Sequence, residues 1–395
     1  MSTPLRETLD QRLRDLERQG RRRTRRVIEP GGPRVLCSND YLGVASRGLL
    51  VDTAIEAATN AATGSGASRL ISGTSPEHAA LEARLAAWLQ RPAALWFATG
   101  YQANVGLMSG LLTPDDAVFS DALNHASIID GIRLSGARRH VYRHRDVAHL
   151  DELLRADTGG GLRVIVSDSV FSMDGDLAPV ADLVDVARRH GAVLVLDEAH
   201  AIGVLGPAGR GLAASLGLEA DVDVIVGTCG KAMGTAGAFV AGSPELAEWL
   251  YNRARSFVFS TAPPPSLART TRHAISLLED GALQAELWHN VRHFAALLRA
   301  RGWWHGEPLS TIFPLVLGPE QDAVRLSEAL LERGWFVHPI RPPTVPPGTS
   351  RLRIIITAAE DTATLDALDA DLADAAASLD LAPRSWSHEQ AGQER

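Results

Sequence analysis

The residue that says most about the chemistry of this chain is a lysine. Lysine and arginine together number 39 in this chain, and Lys231 is the only lysine. A GC-rich genome explains why arginine replaces surface lysine, but it does not explain why one lysine is kept. A lysine amine can lose its proton and form a Schiff base with a carbonyl, whereas a guanidinium stays protonated. The composition therefore predicts that Lys231 does chemistry that arginine cannot do.

The sequence around this lysine favours a flat, phosphorylated ligand. Lys231 lies in a glycine-rich loop that follows the apolar run at residues 222–226. Glycines let a ligand approach the backbone closely, and the hydroxyl of Thr228 can donate to a phosphate. The segment is not a nucleotide phosphate loop, because Ala232 follows the lysine where such a loop has Ser or Thr.

Two further segments place polar groups where strands end. The apolar run at residues 193–196 ends in Asp197, and His200 follows three residues later. A carboxylate in that position either serves a site or caps the next element. Gly100 and Tyr101 stand between a predicted strand and a predicted helix, where backbone N–H groups can bind a phosphate without a basic side chain.

A histidine and a serine complete the set. His125 lies near the start of a predicted helix, where it either packs or lies flat against a planar ring, and Ser172 lies in a polar turn after a strand. A Schiff-base lysine, a strand-end carboxylate, a phosphate-binding helix start and a ring-stacking histidine are the groups that pyridoxal phosphate requires. We therefore predict this cofactor, and we predict no metal site.

The elements that must position these groups alternate along the chain. Short apolar runs are separated mostly by segments of helical period, which predicts an α/β fold with a mostly parallel sheet covered by helices on both faces. Ligands of such a sheet bind at the carboxyl ends of its strands. The runs are residues 93–98, 117–120, 164–167, 192–196, 222–226 and 238–241, and the helical segments are residues 101–112, 124–135, 146–155 and 179–190.

The pattern changes towards the carboxyl terminus. A long helical segment at residues 265–301 is followed by mixed strands and helices, which predicts a smaller α+β domain. The end of the chain is polar, so we expect it to be a frayed tail. The predicted regions are an N-terminal arm (1–45), a large cofactor-binding domain (46–264), a small domain (265–380) and a tail (381–395).

Composition excludes several classes of protein. The chain has 395 residues, 45% of them apolar and 22% charged, and its net charge of −8 argues against a nucleic-acid partner. No run approaches the roughly 20 apolar residues of a membrane span, and the first residues have no apolar signal core. Two cysteines, Cys37 and Cys229, are too few for a disulfide framework, so we expect a cytoplasmic protein.

The order of these motifs resembles that of the α-oxoamine synthases, a family of pyridoxal-phosphate enzymes with the aspartate-aminotransferase fold (fold type I). The resemblance extends over about residues 35–360, and the departures from it, such as Glu198 and Met233, remove no proton donor or acceptor that the reaction needs. The motifs that carry it are residues 38–43, 64–69, 72–73, 124–127, 171–176, 197–200, 206–211, 228–231, 259–261, 340–346 and 348–353.

The resemblance implies pyridoxal 5′-phosphate as the cofactor and assigns roles to the residues. Lys231 would hold the cofactor as an imine and later remove the α-proton of an amino acid, which requires a neutral amine. Asp197 would pair with the pyridine nitrogen, and His125 would stack on the ring and face the substrate. His200 and Ser172 would contact the ring oxygen, Gly100, Tyr101 and Thr228 would hold the phosphate, and Ser260 and Thr261 would reach the phosphate of the partner in a homodimer.

The resemblance also implies substrates. The proline-rich turn at residues 340–346 is similar to that of members that join L-alanine to a pimeloyl thioester, carried by coenzyme A or by acyl carrier protein, and release carbon dioxide. Arg353 would bind the alanine carboxylate with both arms of its guanidinium. Asn39 and Thr344 would line the substrate end of the site.

Several alternatives stay open. The arginine-rich segment at residues 21–26 is either a solvated arm or a clamp for the carrier or the pimeloyl carboxylate, and Arg21 is our choice for the clamp. A sister synthase that uses glycine fits the same motifs. A non-catalytic partner subunit is the alternative of another class, and the presence of Lys231 argues against it. A nicotinamide dehydrogenase is disfavoured because no Gly-x-Gly-x-x-Gly follows an early strand.

Overall fold

The chain divides after Arg34 into two units in a computed structural model. Among its described residues, the first unit contains one helix, α1 (Pro4–Arg18), which starts with Thr3 as its N-cap and a proline in its first turn. Its apolar residues recur at helical spacing and are all exposed, namely Leu5, Leu9, Leu13 and Leu16. The structure describes residues 3–19, 21–22, 25–29 and 31–386, so Arg23 and Thr24 of the arginine-rich segment lie outside the described residues.

The second unit is built on a seven-stranded sheet. After β1 (Arg34–Val35) at the junction of the units, its strands are β2 (Ala93–Phe97), β3 (Ala117–Asp121), β4 (Arg138–Tyr142), β5 (Arg163–Asp168), β6 (Val193–Asp197), β7 (Val224–Thr228) and β8 (Ala238–Gly242). Their order across the sheet is β2-β8-β7-β6-β5-β3-β4. The pairs from β7 to β4 are parallel, and β8 is antiparallel to both of its neighbours. The predicted α/β class with a mostly parallel sheet is confirmed.

Apolar side chains project from both faces of this sheet. Within β5, Ile165 belongs to one core cluster, whereas Val164 and Val166 belong to the other, because successive side chains of a strand point to opposite faces. Each face must therefore be covered by helices. The helices of this part are α2 (Val51–Asn60), α3 (Pro76–Trp88), α4 (Gly100–Leu111), α5 (Ala126–Ser135), α6 (Val147–Ala156), α7 (Val180–His190), α8 (Leu212–Ser215), α9 (Pro244–Arg253), α10 (Arg255–Val258) and α11 (Pro265–Asp280), with short 3₁₀ turns at 207–209 and 219–221.

A three-stranded antiparallel sheet forms the C-terminal region. Its order is β11 (Pro339–Ile340), β12 (Ser350–Ile355) and β9 (Ile312–Gly318). The remaining elements are α12 (Ala282–Ala300), α13 (Glu320–Glu332), β10 (Trp335–Phe336) and α14 (Thr362–Ser378). The predicted helix at 265–301 is two helices, because Gly281 takes a φ of 78°, a left-handed conformation that ends α11.

One strand was not foreseen from the sequence, and one sequence expectation is wrong. The strand β4 was not expected, because an edge strand with the sequence Arg-Arg-His-Val-Tyr has no apolar run, and its pairing with β3 decides it. The expectation of a frayed tail fails for residues 381–386. Trp386 is 6% exposed and donates its backbone N–H to the carbonyl of Trp303 at 3.3 Å. Residues 387–395 lie outside the described residues.

No helix in the described part of the chain combines the length and the apolar character that crossing a membrane would need.

Candidate active site

Three neighbouring parallel strands deliver polar groups to one edge of the large sheet. Asp168 and Asp197 are the last residues of β5 and β6 and lie opposite each other in the strand register, and Thr228 ends β7. They face a cavity of about 200 Å³. Its lining is Gly100, Tyr101, Asn104, His125, Ser127, Asp168, Ser172, Asp197, Ala199, His200, Thr228 and Lys231.

The turn between β7 and β8 carries Lys231 into this cavity. The turn is closed by backbone hydrogen bonds, among them Gly234 N–H to the Lys231 carbonyl at 2.9 Å. Burial lowers the pKa of Lys231 from 10.5 to about 8, with a further lowering by Arg353, although Asp197 and Asp168 oppose the shift. A larger share of the amine is therefore neutral at physiological pH than in an exposed lysine.

His200 lies between this lysine and a buried tyrosine. Its Nε2 is 2.8 Å from Lys231 Nζ, and its Nδ1 is 2.5 Å from the hydroxyl of Tyr41. Burial and the nearby lysine hold the pKa of His200 well below its usual range, so the imidazole is neutral. Burial also raises the pKa of Tyr41 to about 12, which keeps the hydroxyl protonated.

Asp197 is oriented by an amide from the neighbouring helix. Asn104 donates through Nδ2 to Asp197 Oδ2 at 2.7 Å and also to Ser127 Oγ at 3.0 Å. The other carboxylate oxygen of Asp197 accepts the Ala199 N–H at 2.9 Å. These bonds fix the plane of the carboxylate at the strand end. Asn104 was not selected from the sequence, although it lies one helical turn after Gly100, on the same face of α4.

The ring of His125 is held by the start of α5. Its Nδ1 accepts the Ser127 N–H at 3.2 Å, so the proton of the neutral ring is on Nε2. Burial lowers the pKa of His125 and favours this neutral form. Asp168 accepts the His125 backbone N–H at 2.9 Å. Burial and the adjacent Asp197 raise the pKa of Asp168 well above its usual range. Sequence reasoning missed Asp168, although it is a strand-end carboxylate like Asp197.

The N-terminus of α4 provides an anion-binding edge. Thr99 caps the helix by accepting the Gln102 N–H, and the first backbone N–H groups of a helix point outward with the positive end of its dipole. A Cβ at Gly100 would meet only Thr228 Oγ1, at 4.0 Å, so the backbone there is open to a ligand. Thr228 Oγ1 accepts the Gly230 N–H at 3.2 Å, which holds the hydroxyl at the same edge.

An arginine of the C-terminal sheet bonds a residue of the cavity lining, Ser172. Arg353, 6% exposed, donates through Nε to the carbonyl of Ser172. Its two terminal nitrogens lie 3.3 Å from Asn39 Oδ1, and it also bonds the hydroxyl of Tyr41. The guanidinium is thus fixed by neutral oxygens, which leaves its charge for an anionic ligand.

Eight residues predicted for the cofactor line the cavity together: Gly100, Tyr101, His125, Ser172, Asp197, His200, Thr228 and Lys231. Ser260 and Thr261 do not line it, and they belong to a separate surface pocket. Thr344 is exposed on the turn after β11. Arg21 belongs to the N-terminal unit, where its backbone N–H bonds the Leu16 carbonyl at 2.8 Å. The roles predicted for all of these residues, and for Arg353 and Asn39, stay predictions.

Comparison with known proteins decides the family. The family model described as aminotransferase class I and II matches residues 34–370. The chain belongs to the class I and II aminotransferase family. A curated relative in it, the 8-amino-7-oxononanoate synthase of Anaeromyxobacter dehalogenans (strain 2CP-1), is 50% identical over 350 residues, which are 88% of this chain and 88% of the relative.

Two solved structures of this fold are similar to the chain. A serine palmitoyltransferase from S. paucimobilis with a bound PLP–myriocin aldimine superposes with a TM-score of 0.87 at 30% identity, covering 94% of this chain and 98% of that one. An 8-amino-7-oxononanoate synthase from Francisella tularensis superposes with a TM-score of 0.75 at 27% identity, covering 89% and 99%. The resemblance to the α-oxoamine synthases and the fold type that it implied are confirmed.

Proposed function

We propose that this chain is a pyridoxal-phosphate-dependent acyltransferase of biotin biosynthesis. It joins L-alanine to a pimeloyl thioester and releases 8-amino-7-oxononanoate, carbon dioxide and the free thiol carrier. The observation that carries the proposal is the cavity that places the only lysine of the chain 2.8 Å from His200. The substrates are supported by the 50% identity to a curated 8-amino-7-oxononanoate synthase.

The residues of the cavity fit pyridoxal phosphate. The open backbone at Gly100 and the hydroxyl of Thr228 form an edge for the phosphate, and the oriented carboxylate of Asp197 would pair with the pyridine nitrogen. Lys231 is the amine that would hold the cofactor, and its lowered pKa makes it reactive. His125 would lie on the ring. When bound, the cofactor supplies an electron sink for the carbanion at the α-carbon of the amino acid.

Lys231 moves the proton of the α-carbon. A neutral amine accepts that proton, and its pKa of about 8 lies near the operating pH, where a general base is most efficient. His200 is neutral and 2.8 Å away, so it orients Nζ without adding a competing charge. Ser172 lines the same cavity and would contact the ring oxygen together with His200.

Arg353 binds the carboxylate of alanine. Its charge is buried, and the groups that hold it are the carbonyl of Ser172, the amide oxygen of Asn39 and the hydroxyl of Tyr41. Burial strengthens an ion pair with an incoming carboxylate, since the local dielectric is low. Asn39 and Thr344 would define the substrate end, and Arg21 would bind the acyl carrier or the pimeloyl carboxylate.

The active form is a homodimer in this proposal. An exposed apolar patch surrounds Ser260 and Thr261, and within it Ile71 is 77% exposed and Phe259 is 71% exposed. Apolar surface gathered in this way is typical of a protein interface. Burial of this patch against a second copy would bring Ser260 and Thr261 to the phosphate of the partner.

The division into arm (1–45), large domain (46–264), small domain (265–380) and tail (381–395) is part of the same proposal. In chain order, the last strand of the large sheet is β8, which ends at Gly242, and the strands of the C-terminal sheet lie within residues 312–355. We also propose a cytoplasmic location. Both cysteines, Cys37 and Cys229, are free, as a reducing compartment allows.

The absorbance spectrum of the purified protein tests the function. Loaded with pyridoxal phosphate, it should be yellow, its band should shift with L-alanine, and a new band should form when pimeloyl-coenzyme A or pimeloyl-carrier protein follows. Glycine and L-serine are parallel arms, and Lys231→Arg is the control that should fold but take up no cofactor covalently. A response to glycine or serine alone would move the substrate to a sister synthase. A protein that takes up no cofactor would be a non-catalytic member of the fold.

A further inference from the structure

The segment at residues 171–177, named the Ser172 loop here, is held from two sides. Its backbone closes on itself, with Phe171 N–H bonding the Asp176 carbonyl at 3.0 Å and Gly175 N–H bonding the Phe171 carbonyl at 2.8 Å. On the side of the large sheet, His144 Nε2 contacts Asp176 Oδ2 at 2.7 Å. On the other side, the hydroxyl of Ser310 donates to the Gly175 carbonyl at 2.7 Å.

Two arginines of one strand contact this loop. Arg351 and Arg353 lie two residues apart on β12, so they point from the same face. Arg353 donates to the Ser172 carbonyl, and Arg351 forms an ion pair with Asp174 in which both side chains are at most 2% exposed. A buried ion pair tolerates little movement, because separating the charges leaves both unpaired in a low dielectric. The pair therefore fixes the loop relative to β12.

The C-terminal segment lies behind this ion pair. The indole of Trp386 is 5.7 Å from the guanidinium carbon of Arg351, and Trp386 is 6% exposed. The segment is tied to its surroundings by its backbone, with Arg384 N–H bonding the Val316 carbonyl at 2.9 Å and His305 N–H bonding the Trp386 carbonyl at 3.0 Å. A ring face in this position stabilises the cation and restricts its rotamers.

We propose that Trp386 and Arg351 are positioning residues for the binding of the amino-acid carboxylate. Trp386 packs on Arg351, and Arg351 holds Asp174 and with it the loop whose Ser172 carbonyl accepts from Nε of Arg353. A loop that shifts would turn the guanidinium away from its ligand, and small displacements of binding groups are costly in a preorganised site. This inference rests on the proposed role of Arg353 and adds two residues that do not line the cavity.

The same region contains a matched control. Trp303 stacks on Arg301 at 5.9 Å, and Arg301 binds Asp369 through two hydrogen bonds of 2.6 Å. This second set has the same three residue types, but Asp369 lies on α14 and not in the Ser172 loop. If the effect of replacing a tryptophan were only a general loss of packing, replacing Trp303 or Trp386 should have the same effect on the Ser172 loop. If Trp386 positions the loop, only its replacement should affect it.

The experiment compares Trp386→Leu with Trp303→Leu. In protein without added cofactor, hydrogen exchange of the Phe171 and Gly175 amides should become faster in Trp386→Leu only. In the loaded enzyme, the KM for L-alanine should rise about 2- to 30-fold, the range expected for loss of a cation–π contact, while the KM for the thioester stays unchanged. Trp386→Phe should restore both the amide exchange rate and the KM for L-alanine.

Equal exchange in the two variants, or equal changes in both KM values, would overturn the proposal. If Trp386→Leu does not fold, the double variant Arg351→Met with Asp174→Leu replaces it, because removing both charges leaves neither unpaired. Arg353→Gln separates the two hypotheses. If it leaves the KM for alanine unchanged, the proposed role of Arg353 fails, and the amide exchange alone then decides whether Trp386 positions the loop.

Discussion

The protonation of Lys231 can be measured directly, because the chain has one lysine. Protein labelled with isotopes in lysine alone gives a single side-chain NMR signal, which can be followed against pH. Without cofactor, we expect a midpoint of about 8, and in urea a midpoint near the ordinary value of 10.5. At pH 7.5 this difference changes the neutral fraction from about 0.1% to about a quarter, a gain of about 200-fold in reactive amine.

Variants identify the cause of the shift. Arg353→Met removes a positive charge that lowers the pKa, so the midpoint should rise, whereas Asp197→Asn removes a carboxylate that raises it, so the midpoint should fall. The unfolded chain binds the proton more tightly than the folded one, so this group makes the protein without cofactor more stable as the pH rises from about 8 to about 10.5. A midpoint near 10.5 in the folded protein, or shifts of the same sign in both variants, would refute the reasoning.

Three further perturbations have defined outcomes. Burial alone would lower the pKa of His144, but hydrogen bonds to two carboxylates outweigh it and raise the pKa to about 9. Its contribution to stability is therefore complete below about pH 6.5 and lost as the pH rises through 9. Between these pH values, the urea midpoint of unfolding should fall less in His144→Gln than in the unsubstituted protein. Asn104→Leu removes the amide that orients Asp197 and should weaken cofactor binding about tenfold or more in an absorbance titration, with the fold intact. Phe259→Glu should convert a dimer to a monomer in light scattering, and an unchanged mass would exclude this patch as the interface.

Several features of the site could be predicted from residue types alone. Lys231 stood out because no other residue of its type exists in the chain, and Asp197 because it ends an apolar run. Both signals are local, since strand periodicity and residue chemistry need no tertiary information. The alternation of apolar runs and helical segments along the chain predicted the parallel sheet, and such a sheet places the carboxyl ends of its strands at one edge.

Other features depended on contacts between distant segments. Asn104 and Asp168 serve the site through bonds to Asp197 and His125, and no sequence pattern states which side chain an amide will meet. The strand β4 exists because β3 offers it a pairing edge, although its residues have little apolar character. Tertiary pairing overrides local propensity in such strands.

The sequence by itself determined the chemistry of this protein: one amine, a strand-end carboxylate and a helix start suited to a phosphate. Only the tertiary structure decided how far those groups are perturbed, because the pKa of Lys231 depends on burial and on charges brought in by β5, β6 and β12. The tertiary structure also decided that the segment ending at Trp386 is packed and not frayed. Trp386 lies in a polar stretch that by composition should fray, yet its ring has a buried cation to cover.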